Sequence, residues 1–345
     1  MIIIAIESSC DDTSVSLLDI KKNNIKILAE KTASQIEIHK KYGGVVPEIA
    51  ARIHAENIVP LIEEVLKNQP EPETIAVTAG PGLITGLIVG VEAAKTLAYL
   101  KNLPIVKVNH IEGHINSIKI NNNQKIDYPL LSLVISGGHT DLILENKKNE
   151  YKKIGGTRDD AVGECFDKVA KMLNLEYPGG PKISALAKIG NENKIKFPRP
   201  MIKSDDLDMS FAGLKTAVLY WLKENKYYKK QNFLTKLFKK ITIHDICASF
   251  EKAISDILIL KTKKACEKYN IKNIIIAGGV SANEKLRKEF KTELEEKKGI
   301  KVFYPEIKYA MDNATMIGVA AYEKAVKKEF IPWQDIQADP NWEIY

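Results

Sequence analysis

The chain has 345 residues, of which 45% are hydrophobic and 28% are charged, and its formal net charge is +7. This composition is that of a folded globular protein and excludes a disordered or fibrous chain, while the length allows two domains. No segment approaches the roughly 18 apolar residues of a membrane-spanning helix, so we expect no membrane partner. The cysteines lack C-x-x-C spacing, so we expect a protein of the reducing cytoplasm.

The beginning of the chain predicts an α/β pattern that opens with a hairpin. An apolar run, a polar turn at residues 7–13 and a second apolar run predict two paired strands. The elements predicted next are a strand at 25–33, a helix at 47–67, a strand at 74–79, a helix at 85–100 and a strand at 105–108.

Two histidines follow in the motif NHIEGH, at the start of a predicted helix. His110 and His114 are four residues apart, so both imidazoles lie on one helical face. This spacing suits a shared metal ion, although a polar helix face is the alternative interpretation. Glu112 lies about 200° around the helix from His110, which disfavours an H-E-x-x-H metallopeptidase.

The second part of the chain repeats the opening plan. LLSLVISGGHTDLILE, at residues 130–145, again predicts strand, polar turn and strand. The elements predicted next are a strand at 151–154, helices at 159–173 and 243–269, a strand at 273–277, a helix at 282–296, a strand at 302–304 and a helix at 312–328. This repetition predicts two α/β lobes that face one cleft, at residues 1–129 and 130–330, followed by a tail at 331–345.

Glycine-rich turns follow several predicted strands. They are TAGPGLITG, SGGHT, YPGGP and AGGVSAN. Glycine at such a turn permits close backbone approach to a ligand, and a following helix N-terminus favours an anion, so the set predicts a nucleotide site. Tight βα loops are the alternative interpretation. Neither a P-loop motif nor a G-x-G-x-x-G motif is present.

A Lys-rich segment at 223–240 interleaves lysines with aromatic residues. Phosphate contacts and base stacking make such a segment a candidate for RNA binding, while a solvated amphipathic helix is the alternative.

Seven motifs in order resemble the tRNA N6-adenosine threonylcarbamoyltransferase family, whose members were formerly called O-sialoglycoprotein endopeptidases. They are ESSCDDT, NHIEGH, SGGHT, AVGECFDK, YPGGP, SFAGLKTA and AGGVSAN, and the resemblance runs over residues 1–330. It implies a two-lobed actin-like ATPase fold, as in actin, sugar kinases and Hsp70, with a duplicated βββαβαβα core and a central nucleotide cleft. It also implies a bacterial or organellar acyltransferase that moves threonylcarbamoyl from threonylcarbamoyl-AMP to N6 of the adenine 3′ of the anticodon, in tRNAs reading codons that begin with A.

The resemblance further implies a set of site residues. His110, His114 and Asp312 match the family's ligands for one divalent metal, with iron favoured and zinc or magnesium possible. Asp11 matches an acidic residue of the first hairpin, as a magnesium ligand or a base. The matched substrate-binding positions are Val134, Ile135, Ser136, Gly137, Gly138, Asp167, Gly180 and Asn283.

The chain also departs from the family's pattern. Asp12 stands where the family usually has Glu, Ser184 where many members have a carboxylate, and Met311 where a small polar residue is common. We expect one ligand contact at each of Asp12 and Ser184 to differ accordingly. Asp312 is expected to come from the second lobe and to close a metal site opened by the two histidines of the first.

The resemblance implies tRNA and threonylcarbamoyl-AMP as partners. Bacterial members usually work with a smaller paralogue that lacks the metal site and with a P-loop ATPase, whereas organellar members act as homodimers, and the sequence does not decide between these arrangements. The alternative functions are a small-molecule kinase of the same fold, a metallopeptidase and a non-catalytic scaffold.

Overall fold

The computed structural model describes residues 1–22, 24–121, 126–225, 227 and 241–344. The predicted RNA-binding segment 223–240 therefore lies almost entirely outside the described residues and stays a prediction. Within these ranges, no helix combines the length and the apolar character needed to cross a membrane. The chain divides into two compact units, one formed by Met1–Ile126, Ile275–Gly278 and Phe303–Tyr345, the other by Asp127–Ile274 and Gly279–Val302.

Two five-stranded sheets organise the fold. The first contains β1 (Ile2–Glu7), β2 (Asp12–Lys21), β3 (Asn24–Ser34), β4 (Thr74–Gly80) and β5 (Ile105–Asn109) in the order β3-β2-β1-β4-β5. The second contains β6 (Leu130–Ile135), β7 (Thr140–Glu145), β8 (Tyr151–Gly156), β9 (Asn273–Ala277) and β10 (Lys301–Phe303) in the order β10-β9-β6-β7-β8. When β6 is matched to β1, the two strand orders are the same, which confirms the predicted duplication.

The helices fill the connections between these strands. The described α-helices are α1 (Ile36–His39), α2 (Pro47–Leu66), α3 (Ile84–Lys101), α4 (His110–Asn116), α5 (Val162–Met172), α6 (Gly179–Ala187), α7 (Ala212–Glu224), α8 (Ile243–Tyr269), α9 (Glu284–Phe290) and α10 (Ala314–Val326). A π-helical segment, Lys291–Glu296, continues α9.

The first sheet is buried on both faces because apolar side chains run continuously along its central strands. Ile3 and Leu18 pack with Ile317 of α10 on one face, whereas Ile4 packs with Val91 of α3 on the other. Strands buried on both faces are typical of sheets that helices cover from each side. The pairing of β1 with β2 is antiparallel and that of β1 with β4 is parallel, so the hairpin turn and the loop after β4 meet at one end of the sheet.

The C-terminal part of the chain differs from the predicted domain boundaries. We expected the last helix in the second lobe and residues 331–345 as a separate tail, but Phe303–Tyr345 group with the first unit. The reason is the apolar face of α10, which packs on β1 and β2, together with Ile336, which is buried in the core on the other face.

Some predicted helix ends also differ. The helix expected at 159–173 begins at Val162, and Asp159 instead accepts hydrogen bonds from the backbone N–H groups of Phe211 and Ala212, at the start of α7. The helix expected at 312–328 begins at Ala314, after its N-cap Asn313.

Candidate active site

Helix α4 brings the two histidines together in the first unit. The side chain of Asn109, the last residue of β5, accepts a hydrogen bond from Ile111 N at 2.9 Å and so caps the helix. His110 and His114 then lie one turn apart with ring centroids separated by 4.6 Å. Their exposed fractions are only 5% and 0%, so both imidazoles are withdrawn from bulk water.

Asp312 completes this cluster from the loop before α10. Its Oδ1 atom lies 3.5 Å from His110 Nε2 and 3.2 Å from His114 Nε2. One ligand atom from each residue falls within 4.8 Å of the others. Gly113 lets the helices approach, because a Cβ there would lie 2.7 Å from Ile317 Cδ1.

The expectation that Asp312 comes from the second lobe is wrong. All three residues belong to the first unit, because the chain returns to that unit after β10. Capping of α10 falls to Asn313, whose Oδ1 accepts a hydrogen bond from Met316 N at 2.8 Å. Asp312 therefore faces the histidines rather than the helix end.

The charges in the cluster depend on one another. Burial opposes ionisation of Asp312, but the adjacent His110 and His114 hold the pKa of its carboxyl well below the usual range. Burial also disfavours a charged imidazole at His110, yet Glu7 and Asp312 outweigh it and raise the pKa of His110 to about 10. At His114 burial prevails and lowers the pKa. The two carboxylates thus favour the protonated form of His110, whereas burial favours the neutral form of His114.

The donor set fits a divalent metal ion. His114 Nε2 is close to Asp312, but the geometry is not that of a hydrogen bond, and neither ring nitrogen of His114 has a hydrogen-bond partner among the described residues. A fully buried imidazole without partners is costly unless a ligand satisfies it. Two imidazoles and one carboxylate are ligands that both iron and zinc accept.

Glu112 takes no part in this cluster. Its Oε2 atom lies 2.5 Å from Lys324 Nζ on α10, and its side chain is 6% exposed. A metallopeptidase needs a glutamate base beside the metal, and this carboxylate is committed to an ion pair. The orientation predicted for Glu112 from the helical repeat is in agreement with this contact.

The first hairpin turn carries Asp11 and Asp12. His54 fixes this turn, because its Nε2–H donates to Cys10 O at 3.0 Å and its Nδ1 accepts from the Thr13 hydroxyl at 2.8 Å. The Oδ1 atom of Asp12 is buried and has no hydrogen-bond partner in the described part of the chain. Burial raises the pKa of Asp12 to about 7. The motif indicates Asp11 as the candidate catalytic residue. It does not reveal that its neighbour Asp12 has a raised pKa.

In the second unit, the turn after β6 has free space around its two glycines. The side chains of Val134 and Ile135 are fully buried, so only their backbone atoms can meet a ligand. Ser136 closes the turn through its hydroxyl, which accepts from His139 N at 3.1 Å. A Cβ added at Gly137 or Gly138 would meet no atom within 4 Å.

Helix α5 begins directly against this turn. Gly163 N donates to Ser136 O at 3.2 Å, and a Cβ at Gly163 would lie 2.6 Å from that oxygen. The close approach requires glycine here. The sequence contained Gly163 in the AVGECFDK motif, but no periodicity or charge pattern marked it as a contact of the turn.

Asp167 and Gly180 lie where α5 meets α6. Asp167 Oδ1 accepts a hydrogen bond from Gly179 N at 2.7 Å, at the first residue of α6. A Cβ at Gly179 would lie 2.3 Å from Ala170 Cβ, whereas at Gly180 the nearest atom is 3.9 Å away. Packing therefore requires glycine at Gly179, and the predicted ligand position Gly180 is open.

Both polar atoms of the Asn283 side-chain amide form hydrogen bonds within the protein. Its Oδ1 accepts from Leu286 N at 3.0 Å, and its Nδ2 donates to Glu251 Oε1 at 2.7 Å and to Ser184 Oγ at 2.9 Å. The Ser184 hydroxyl donates to the same Glu251 oxygen at 2.6 Å. Glu251 is 1% exposed. No sequence pattern marks this buried carboxylate, which lies within the long helix α8.

Comparison with protein families agrees with the resemblance carried by the motifs. The family model described as tRNA N6-adenosine threonylcarbamoyltransferase matches residues 26–319. A protein of that name from Persephonella marina is 44% identical over 331 residues, covering 94% of this chain and 90% of the relative. One from Streptococcus pneumoniae is 43% identical over 343 residues, covering 98% of this chain and 96% of the relative.

Solved structures share the fold at low sequence identity. The activator of 2-hydroxyisocaproyl-CoA dehydratase from Clostridium difficile, solved with bound ADPNP, has a TM-score of 0.54 at 13% identity, with 95% of this chain and 97% of that one covered. Full-length HypF in its phosphate- and nucleotide-bound form has a TM-score of 0.59 at 13% identity, with 94% and 46% covered. These neighbours confirm the actin-like ATPase fold.

Proposed function

The chain belongs to the tRNA N6-adenosine threonylcarbamoyltransferase family, and from this premise we propose that its first unit holds a catalytic metal and its second unit the acyl donor. It is an acyltransferase that modifies N6 of an adenosine in tRNA. We take the acceptor to be the adenine 3′ of the anticodon, in tRNAs that read codons beginning with A.

The observation that carries the metal proposal is the buried cluster of His110, His114 and Asp312, with its unsatisfied imidazole. These three side chains would hold one divalent ion, with iron favoured over zinc or magnesium. When bound, such an ion supplies Lewis acidity toward an oxygen on which negative charge develops. The chain's own contribution is to bury the ligands and keep Asp312 ionised beside them.

The donor we propose is threonylcarbamoyl-AMP. A mixed anhydride of this kind is already activated, because AMP is a good leaving group, so the protein's task is to bind and orient it. The open Ser136–Gly138 turn supports a phosphate site, since the backbone N–H groups of a glycine-rich turn are suited to an anion. Val134 and Ile135 would contribute backbone atoms. Asp167, Gly180 and Asn283 would border the adenosine.

A proton must leave the attacking amine of adenine. A general base works best when its pKa lies near the working pH, and Asp12 has a pKa of about 7. Asp11, which the resemblance indicates, is the neighbouring candidate in the same turn. We propose that this acidic turn takes up the proton.

Other partners stay proposals. From the arrangements known in the family, we propose either a smaller paralogue together with a P-loop ATPase, or a homodimer. A cytoplasmic location is supported by four cysteines that are all unpaired, as a reducing compartment leads us to expect.

The function is tested by mass spectrometry of tRNA nucleosides. Cells depleted of this protein should lose threonylcarbamoyladenosine while other modified nucleosides keep their levels. Complementation with the parent chain should restore it. Normal levels after depletion, in a cell with no second copy of the enzyme, would contradict the function.

A further inference from the structure

We propose that Glu7 is a positioning residue of the metal centre, which holds the Nδ1 proton of His110 and thereby leaves Nε2 of that ring to the metal. The inference rests on the proposed metal site and concerns how the protein prepares one of its ligands. Glu7 is the last residue of β1 and is 1% exposed.

The carboxylate of Glu7 is fixed before it meets the histidine. Its Oε1 accepts from Ser9 N at 2.6 Å, and its Oε2 accepts from the Thr78 hydroxyl at 2.6 Å. The backbone N–H of Ser9 can only donate, so it requires an acceptor at the Oε1 position. Glu7 is therefore oriented by the turn that follows β1 and by the adjacent strand β4.

His110 Nδ1 lies 3.1 Å from the same Oε2 atom of Glu7. An ionised carboxylate has no proton to give, so Nδ1 must carry the hydrogen. The lone pair of neutral imidazole is then on Nε2, which is the nitrogen on the side of Asp312. A carboxylate behind a metal-binding histidine sets the tautomer and ring orientation in this way.

A second partner of the same nitrogen does not alter this conclusion. Ser9 Oγ also lies 3.1 Å from His110 Nδ1, but a hydroxyl can either donate or accept and so follows the proton rather than fixing it. His114 has no comparable support among the described residues, because neither of its ring nitrogens makes a hydrogen bond there. The cluster thus has one pre-oriented imidazole and one held by packing.

The substitution Glu7→Gln reverses the tautomer without changing the shape of the side chain. The amide oxygen must face Ser9 N, because the opposite orientation would set two donors against each other. The amide NH₂ then replaces Oε2 and donates to His110 Nδ1. The proton of His110 moves to Nε2, where it blocks the metal.

The test is a calorimetric titration of metal-stripped full-length protein with Zn²⁺. We expect Glu7→Gln to bind about 10- to 100-fold more weakly than the parent. Nitrogen NMR of the histidine rings at saturating Zn²⁺ should show a proton on Nδ1 of His110 in the parent and a proton retained on Nε2 in Glu7→Gln. A merely structural role for Glu7 would not move that proton.

Glu112→Gln is the matched control, because it also neutralises a buried carboxylate in the first unit but one that contacts Lys324. It should keep the parent's Zn²⁺ affinity within about threefold. Should Glu7→Gln not fold, Thr78→Val removes only the hydroxyl that orients Glu7 and should weaken Zn²⁺ binding to a smaller extent.

Failure of the metal site and failure of the role of Glu7 give different results in this titration. If the parent binds Zn²⁺, and His114→Ala does not, the proposed site stands, and equal affinity of Glu7→Gln and the parent would overturn the role of Glu7. If the parent binds no Zn²⁺, or His114→Ala binds it equally well, the proposed metal site itself is wrong.

Discussion

The candidate residues of the first unit and those of the second differ in what their side chains do inside the protein. In the first, His114 and Asp12 carry buried polar atoms that have no hydrogen-bond partner among the described residues. In the second, Asp167 and Asn283 hold helix ends, and the open positions are glycines. On the proposed function, chemistry in the first unit would therefore depend on side-chain identity, and donor binding in the second unit would depend on the shape of the backbone.

The largest effect should come from removing a side chain of the metal cluster. His114→Ala should lower single-turnover transfer to tRNA by about 100-fold or more, the size of losing one strong electrostatic stabiliser. His39 is another fully buried histidine of the first unit, outside the cluster, where it contacts Gln35 and Val46. His39→Ala should lose stability and keep the metal-dependent rate. Equal losses of activity in the two variants would remove the distinction between cluster and core.

The buried carboxylate of Asp12 should destabilise the fold at neutral pH. Its pKa rises from 3.8 to about 7 because of burial, so the folded protein binds the proton more tightly than the unfolded chain. The penalty is absent below pH 4 and complete above pH 7. Asp12→Asn should therefore raise the free energy of unfolding by about 2–4 kcal/mol at pH 8 and hardly at all at pH 4.

Denaturant titrations of the parent and Asp12→Asn across this pH range measure the difference. If the difference in free energy of unfolding between the two proteins does not change with pH, the pKa of Asp12 is the same in the folded and the unfolded chain. A gain in stability together with a loss of transfer would be the pattern of a functional group held at a cost to the fold.

In the second unit, substitution of one glycine should affect mainly the stability of the fold, and substitution of another should affect mainly donor binding. Gly163→Ala places a methyl group 2.6 Å from Ser136 O and should lower the free energy of unfolding by about 1–3 kcal/mol. A Cβ at Gly137 meets no atom within 4 Å, so Gly137→Val should fold normally while it blocks the phosphate of the donor. Denaturant titration and calorimetry with an adenylate analogue test both. Unchanged affinity of Gly137→Val would exclude the turn as the phosphate site.

The smallest effect should be that of Asp167. Asp167→Ala loses the acceptor for Gly179 N and should lower the free energy of unfolding by about 0.5–2 kcal/mol, the range for a helix cap. Asp167→Asn keeps an oxygen for this N–H group and should lose less. If the alanine variant is as stable as the parent, the side chain acts on the ligand alone.

Much of the fold could be predicted because hydrophobic periodicity and turn residues are local. The repeated hairpin-plus-strand pattern was enough to predict two equivalent sheets. The last helix was misassigned because its sequence gives only an apolar face, and the strands that receive this face lie some 300 residues earlier. Which sheet a helix covers is a property of the whole fold.

The site was predictable where spacing is informative. Histidines four residues apart share a helical face, so His110 and His114 could be paired from sequence. Asp312 was matched only through the family's motif. Glu7 and Glu251 could not be found, because a buried carboxylate in a strand or a long helix looks like any other acidic residue until its partners are placed.

The metal site is tested most directly by elemental analysis of the purified protein. The parent should contain about one divalent ion per chain, and the double variant His110→Ala, His114→Ala should contain almost none. A double variant that retains the parent's metal content would show that the cluster is not the metal site.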